Sequence, residues 1–168
     1  MGEDRKARFR RIREQHGPAL ARVVRSYARP GADEEDLAQE VSLALWKGLE
    51  GFRGECSERA FVLRVAHNRG LNHLWRRRPS EALPEGLEDA SPRPDAQTQR
   101  REEEERLFAA IRQLPPPLRQ ALTLALEELP HAEIGAALGI SEGNVAVRLS
   151  RARAALRKLL KEEDDHER

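Results

Sequence analysis

The stretch HAEIGAALGISEGNVAVRLSRARAALRKLL, residues 131–160, decides the fold. Ile134 and Leu138 share one face of a short helix, at helical spacing. Gly139 follows, where the chain must pass through a left-handed conformation to turn. Ile140 fills the angle between the short helix and the next. Ser141 has the side chain that caps a second helix by accepting a backbone N–H. Val145, Leu149, Ala152, Leu156 and Leu159 then recur as one buried stripe. Gly135 allows close helix approach, although glycine inside a helix costs about 1 kcal/mol against alanine. Turn, cap and stripe together predict a helix-turn-helix. The other face of its second helix carries Asn144, Val147, Arg148 and Arg151, and Arg153, Arg157, Lys158 and Lys161 extend a basic ridge with no acid between Asn144 and Leu160. The start of such a helix enters a major groove and reaches base edges, and its later arginines suit phosphates. The plainer alternative is a solvated basic face on a helical hairpin.

Composition bounds the rest. The chain has 168 residues, 30 Lys and Arg against 29 Asp and Glu, and a net charge of +1, so any DNA-binding signal lies in the distribution of charge and not in its sum. Hydrophobic residues at 39% and aromatics at 4% predict no single large core. Cys56 is the one cysteine, which excludes an internal disulfide and argues against a thiolate metal site. No apolar run is long enough to insert in a membrane, and the basic N-terminus has no apolar segment after it, so a cytoplasmic protein is expected. No metal, cofactor or catalytic residue is expected. Glycine-rich phosphate loops are missing, Cys56 has no evident catalytic partners, and Glu128 and His131 are separated by Pro130, so they do not form the ligand pair of a di-iron bundle.

Upstream, Phe9, Ile12, Leu20, Val23, Val24 and Tyr27 mark a helical pattern over residues 5–28, interrupted near Gly17-Pro18. Asp33 is expected to cap a helix with Glu34, Glu35 and Asp36 in its first turn, where the helix dipole favours acids. Leu37, Val41, Ala44 and Leu45 form its buried stripe, and Gly48, Gly51 and Gly54 break it. A further helix from about residue 57 to 77 has Phe61, Val62, Val65, Leu71, Leu74 and Trp75 as apolar anchors. Pro79, Pro84, Pro92 and Pro94 then block regular structure in an acidic stretch that reads as a flexible linker. A helix with Leu107, Phe108, Ile111 and Leu114 follows it, and Pro115, Pro116 and Pro117 end that helix. Another helix is expected from 118 to 129, and Pro130 opens the next. The expectation is an all-α chain of two small helical domains, residues 1–78 and 100–168, joined by a linker over 79–99.

DEEDLAQEVSLALWKGLEGFRGE with RAFVLRVAHNRGLNHLWRRR resembles region 2 of sigma-70 factors of the extracytoplasmic-function (ECF) type. PPPLRQALTLALEELPHAEIGAALGISEGNVAVRLSRARAAL resembles their region 4. The resemblance covers most of residues 5–160. It implies an alternative sigma factor that binds core RNA polymerase and directs initiation by recognising −35 and −10 promoter elements. On that basis Asp36, Gln39 and Glu40 match the surface that docks on the clamp helices of the polymerase β′ subunit, with the β flap as a second contact. Arg64, His67, Asn68 and Asn72 would face the −10 strand, with Arg76, Arg77 and Arg78 on phosphates. Ser141, Asn144, Val147, Arg148, Arg151 and Arg153 would meet the −35 element. An anti-sigma partner and a monomeric free state are implied too. The chain has Phe61 where the family often has Trp, Asn72 where it often has Asp, and Asn144, Ala146 and Val147 where it often has Thr, Lys and Ser, which bears on promoter sequence.

Two other functions remain open at this point. A helix-turn-helix regulator with an N-terminal sensor or dimerisation domain would share the C-terminal motif and would bind paired half-sites as a dimer. A degenerate sigma would bind polymerase without initiating.

Overall fold

The computed structural model describes residues 4–77 and 96–166. Within them lie seven helices and no strand: α1 (Arg5–Arg25), α2 (Ala32–Gly48), α3 (Glu58–Arg76), α4 (Ala96–Gln113), α5 (Pro116–Leu126), α6 (His131–Leu138) and α7 (Glu142–His166). The all-α expectation holds.

Several local expectations are corrected. α1 runs unbroken through Pro18. Proline inside a helix forfeits one backbone hydrogen bond, but Ile12, Ala19, Val23 and Val24 are all buried, and tertiary packing on both sides of Pro18 keeps the helix continuous. Gly31, at φ +96°, takes the N-cap position of α2 with no side-chain cap, so Asp33 is not the cap. Its carboxylate instead accepts from the Arg29 backbone N–H at 2.7 Å. α4 begins at Ala96, so residues 96–99 are helical and not linker; residues 78–95, with Arg78 and the prolines expected in the linker, lie outside the described residues. α5 starts at Pro116, because proline suits the first turn of a helix, where its missing N–H has no intrahelical partner anyway.

α1, α2 and α3 pack around Ile12, Val23, Leu37, Leu45, Val62 and Leu63, each at most 1% exposed. Each such side chain contributes about 1.5–3 kcal/mol by leaving water. The segment that follows α1 approaches α3 closely at Gly70, where an added Cβ would lie 2.4 Å from the Tyr27 ring. α5, α6 and α7 bury Leu124, Ile134, Val145 and Leu149, and this core is continuous with that of α1–α3. α4 closes a second cluster over α7 with Phe108, Ile111, Leu114, Leu122 and Ala152.

Polar contacts join the two halves as well. Arg22 of α1 and Arg59 of α3 converge on Glu127, Ser57 donates to Glu133 at 2.7 Å, and Arg25 lies over the Phe108 ring at 4.2 Å.

Candidate nucleic-acid interface

The helix-turn-helix forms as its residues dictate. Gly139 adopts the left-handed conformation, φ 68° and ψ 35°. The Ser141 hydroxyl accepts from the Asn144 backbone N–H at 3.2 Å and caps α7, so its expected place at DNA is combined with a structural task. Gly135 shows why glycine is tolerated inside α6: a Cβ there would lie 2.7 Å from the Ile140 carbonyl oxygen, and the Ile140 N–H donates to the Gly135 carbonyl. Val145, Leu149 and Ala152 are buried, and Leu156 and Leu159 are partly so.

With 3.6 residues per turn, Asn144, Val147, Arg148 and Arg151 fall within an arc of about 100° of α7. Asn144, Val147 and Arg151 are exposed and Arg148 is half-buried. Arg153 is exposed, but it sits about 180° from Asn144, on the far flank of the buried stripe. α7 therefore does not bring Arg153 together with the other four.

On α3, Asn68 and Asn72 are exposed and Arg64 is half-buried, its guanidinium 5.9 Å from the Phe61 ring. His67 does not join them. It is 1% exposed, with Nδ1 2.9 Å from the Tyr27 hydroxyl and Nε2 3.1 Å from the Thr123 hydroxyl. Burial, and after it the charge of Arg119, pushes its pKa down to about 3, so the imidazole is neutral here. The expected placement of His67 at DNA is corrected in this conformation: the residue one step before Asn68 turns about 100° inward, toward the segment after α1 and toward α5. Phe61 is likewise a core residue, stacked on Phe52 at 4.3 Å and packed under Gly48. Trp75, expected as an apolar anchor, is 64% exposed.

Arg76 and Arg77 are exposed but paired. Arg76 bonds Glu40, and Arg77 bonds Asp33, which also holds His73 at 2.6 Å. Asp33 thus ties the end of α3 to the start of α2. Asp36 and Gln39 are exposed on α2, while Glu40 on the same face is turned to Arg76. Leu43, one further turn along that face, is 55% exposed. Sequence periodicity alone does not single out Leu43, although its place outside the Leu37–Val41–Leu45 stripe is the available signal. Among the described residues no cluster of His, Cys, Asp and Glu could hold a metal ion, and no helix is long and apolar enough to cross a membrane.

Two family models match the chain: "Sigma-70 region 2" over residues 12–79 and "Sigma-70, region 4" over residues 104–156. RNA polymerase sigma factor CnrH of Cupriavidus metallidurans is 30% identical over 165 residues, 90% of this chain and 86% of that protein. The ECF RNA polymerase sigma-E factor of Escherichia coli strain K12 is 31% identical over 158 residues, 86% of this chain and 81% of that protein. The structure of CnrH in complex with the cytosolic domain of CnrY superposes with a TM-score of 0.67 at 28% identity, covering 91% of this chain and 87% of CnrH. RpoE of Bartonella quintana, in complex with the anti-sigma factor NepR, shares the fold with a TM-score of 0.69 at 21% identity, covering 91% of this chain and 96% of RpoE.

Proposed function

This chain belongs to the sigma-70 family as an ECF-type alternative sigma factor that directs transcription initiation, and from that premise we propose how its surfaces divide the work. Residues 1–78 dock on core polymerase and take the −10 element; residues 100–168 take the −35 element. The carrying observation is that the two halves each present an exposed polar helix face, Asn68 and Asn72 on α3 and Asn144 and Arg151 on α7, with Arg148 half-buried beside them.

Asp36, Gln39 and Glu40 form the docking face, where carboxylates and an amide suit a basic partner helix. Asn68 and Asn72 offer both donors and acceptors to the edges of unpaired bases. Arg64 stands at the head of that face. Asn144, Val147, Arg148 and Arg151 read or flank the −35 major groove, with Ser141 at the mouth of the helix and Arg153 reaching a neighbouring phosphate. Arg76 and Arg77 become free for phosphates when Glu40 and Asp33 release them.

The two halves part when both elements are held. Elements named −35 and −10 lie about 25 base pairs apart, or about 85 Å at about 3.4 Å per pair. A compact chain of this length has a radius of gyration of about 15 Å. The contacts of Arg22 and Arg59 with Glu127, and of His67 with Thr123, are then given up, and His67 reaches solvent. An anti-sigma protein that holds the compact form is the matching regulator; it is supported by the similarity to CnrH bound to CnrY and to RpoE bound to NepR.

Run-off transcription with core polymerase, with and without this chain, tests the assignment. Transcripts that depend on the chain are expected, from a free chain that elutes as a monomer. A dimer that binds paired half-sites without polymerase would overturn it.

A further inference from the structure

Trp75 is the most exposed large hydrophobic side chain among the described residues, at 64%. The other tryptophan differs: Trp46 is half-buried, beneath the Arg5 guanidinium at 4.2 Å and edge-on to Phe9 at 5.4 Å. No ring contact or hydrogen bond of the Trp75 indole occurs among the described residues. A tryptophan held in water is worth explaining, because the indole is a large apolar surface with a single polar handle.

Its neighbours on the helix surface supply the explanation. Arg64, Asn68, Asn72 and Trp75 follow one another at intervals of four, four and three residues, so all four fall within an arc of about 80° on α3. Trp75 lies about 4.5 Å beyond Asn72 along the axis. The cations that follow it point elsewhere, since Arg76 is bonded to Glu40 and Arg77 to Asp33 on α2. These pairs draw the end of α3 against α2 and leave the indole as the outward group of the last turn.

We propose that Trp75 is the stacking residue of the −10 face: its indole packs on an unpaired base of the melted strand, next to the base whose edge Asn72 bonds. The proposal rests on the assignment of α3 to the −10 element. Amides bond base edges but offer no surface for a base face, whereas an aromatic ring accepts the face of any base. Stacking there stabilises the open strand over the duplex, because a paired base keeps its faces covered by its neighbours.

The test uses holoenzyme reconstituted from core polymerase and the full chain, on a duplex promoter selected from a randomised pool by the wild-type holoenzyme. Trp75→Ala is expected to lower open-complex formation, read as permanganate reactivity of unpaired thymines, by roughly 5- to 150-fold. Trp75→Phe keeps most of it, and both variants co-purify with core polymerase as the wild type does. On the same promoter pre-melted over its −10 region, Trp75→Ala still binds more weakly than the wild type. Equal reactivity for Trp75→Ala and wild type overturns the stacking role and leaves the sigma assignment standing. Loss of co-purification makes Trp75 a polymerase contact and also overturns it. A wild-type holoenzyme that selects and opens no DNA sinks the α3 assignment and this inference with it.

Discussion

Arg22 grips the carboxylate of Glu127 with two hydrogen bonds, Nε to Oε1 at 2.6 Å and Nη2 to Oε2 at 2.8 Å, across 105 residues of chain. Glu127 is 3% exposed, and Arg59 Nη2 also donates to its carbonyl oxygen at 2.7 Å. The bidentate bond raises the Arg22 pKa further. A buried charge that loses its partner is strongly destabilising, by about 3–5 kcal/mol. Half the Arg22 side chain is in solvent, and Arg59 remains beside Glu127, so the expected loss for Arg22→Ala is smaller, about 1–3 kcal/mol. Urea unfolding should show a lower midpoint, and Arg22→Lys should recover only part of it, because an ammonium lacks the planar fork. A wild-type midpoint for Arg22→Ala would show that this pair does not hold the halves together.

Gly135→Ala opposes two effects of different size. Helix propensity favours alanine by about 1 kcal/mol, but the new Cβ would meet the Ile140 carbonyl oxygen at 2.7 Å. That oxygen belongs to the turn between α6 and α7, so it cannot move without displacing α7. A net loss of about 1–3 kcal/mol is expected. Gly70→Ala should cost at least as much, since its Cβ would press on the buried Tyr27 ring. Thermal melts of both variants check this, and a raised Tm for Gly135→Ala would contradict the close approach.

The parts of the fold and site that could be read from sequence are those set by local chemistry. Gly139, Ser141 and the Val145–Leu149–Ala152 stripe act within a few residues of one another, so the helix-turn-helix was legible. His67 was not. Its burial depends on Tyr27 and Thr123, 40 and 56 residues away, and no spacing within α3 reports a helix that will pack across it. Asp33 differs from expectation for a similar reason: acids near a helix start favour the cap position on average, and here Gly31 takes that position while Asp33 meets His73 and Arg77 from the end of α3. Trp75 reads as a core residue by type, and only the direction of α3 shows that it faces out. Arg153 groups with Arg148 and Arg151 by charge, and helical phase separates it.

His67 should make stability depend on pH. Its pKa falls from 6.5 when exposed to about 3 in the fold, chiefly by burial. Below pH 6.5 the unfolded chain therefore binds a proton that the folded chain refuses, so stability is full above pH 6.5 and falls as pH drops toward 3. Between pH 7 and pH 5 the loss from this one group is about 2 kcal/mol. His16, also lowered mainly by burial, titrates in the same direction, so the comparison that isolates His67 is wild type against His67→Gln. The variant should lose less stability over this interval. Parallel curves would show that His67 is accessible to protons in the free chain.

The proposed docking face on α2 should respond to charge and to shape. Asp36→Lys with Gln39→Lys is expected to abolish co-purification with core polymerase while the far-ultraviolet dichroism and Tm stay close to wild type, because both side chains are exposed. Leu43→Ala should weaken core binding by about 1–2 kcal/mol, as a truncated apolar anchor does. It should not reduce stability, since Leu43 is 55% exposed. If the double variant still co-purifies, the acids serve the helix dipole alone.

Arg148 and Arg151 share a face of α7 but differ in depth, and this gives a way to separate base reading from phosphate contact. Arg148 is half-buried beside the core stripe and lies a single turn past Asn144, near the helix start proposed to enter the groove. Arg151 is exposed and nearly a turn further on. If Arg148 reads a base, Arg148→Ala costs about 1–3 kcal/mol on the cognate −35 element and little on a variant altered at the contacted pair. Arg151→Ala, at a phosphate, weakens every sequence alike and lowers the slope of log K against log salt by about one. Both are measured with holoenzyme on matched promoters over a salt series. A uniform loss for Arg148→Ala, with the same change in salt slope, would make it a phosphate contact and move the reading of bases to Asn144 and Val147.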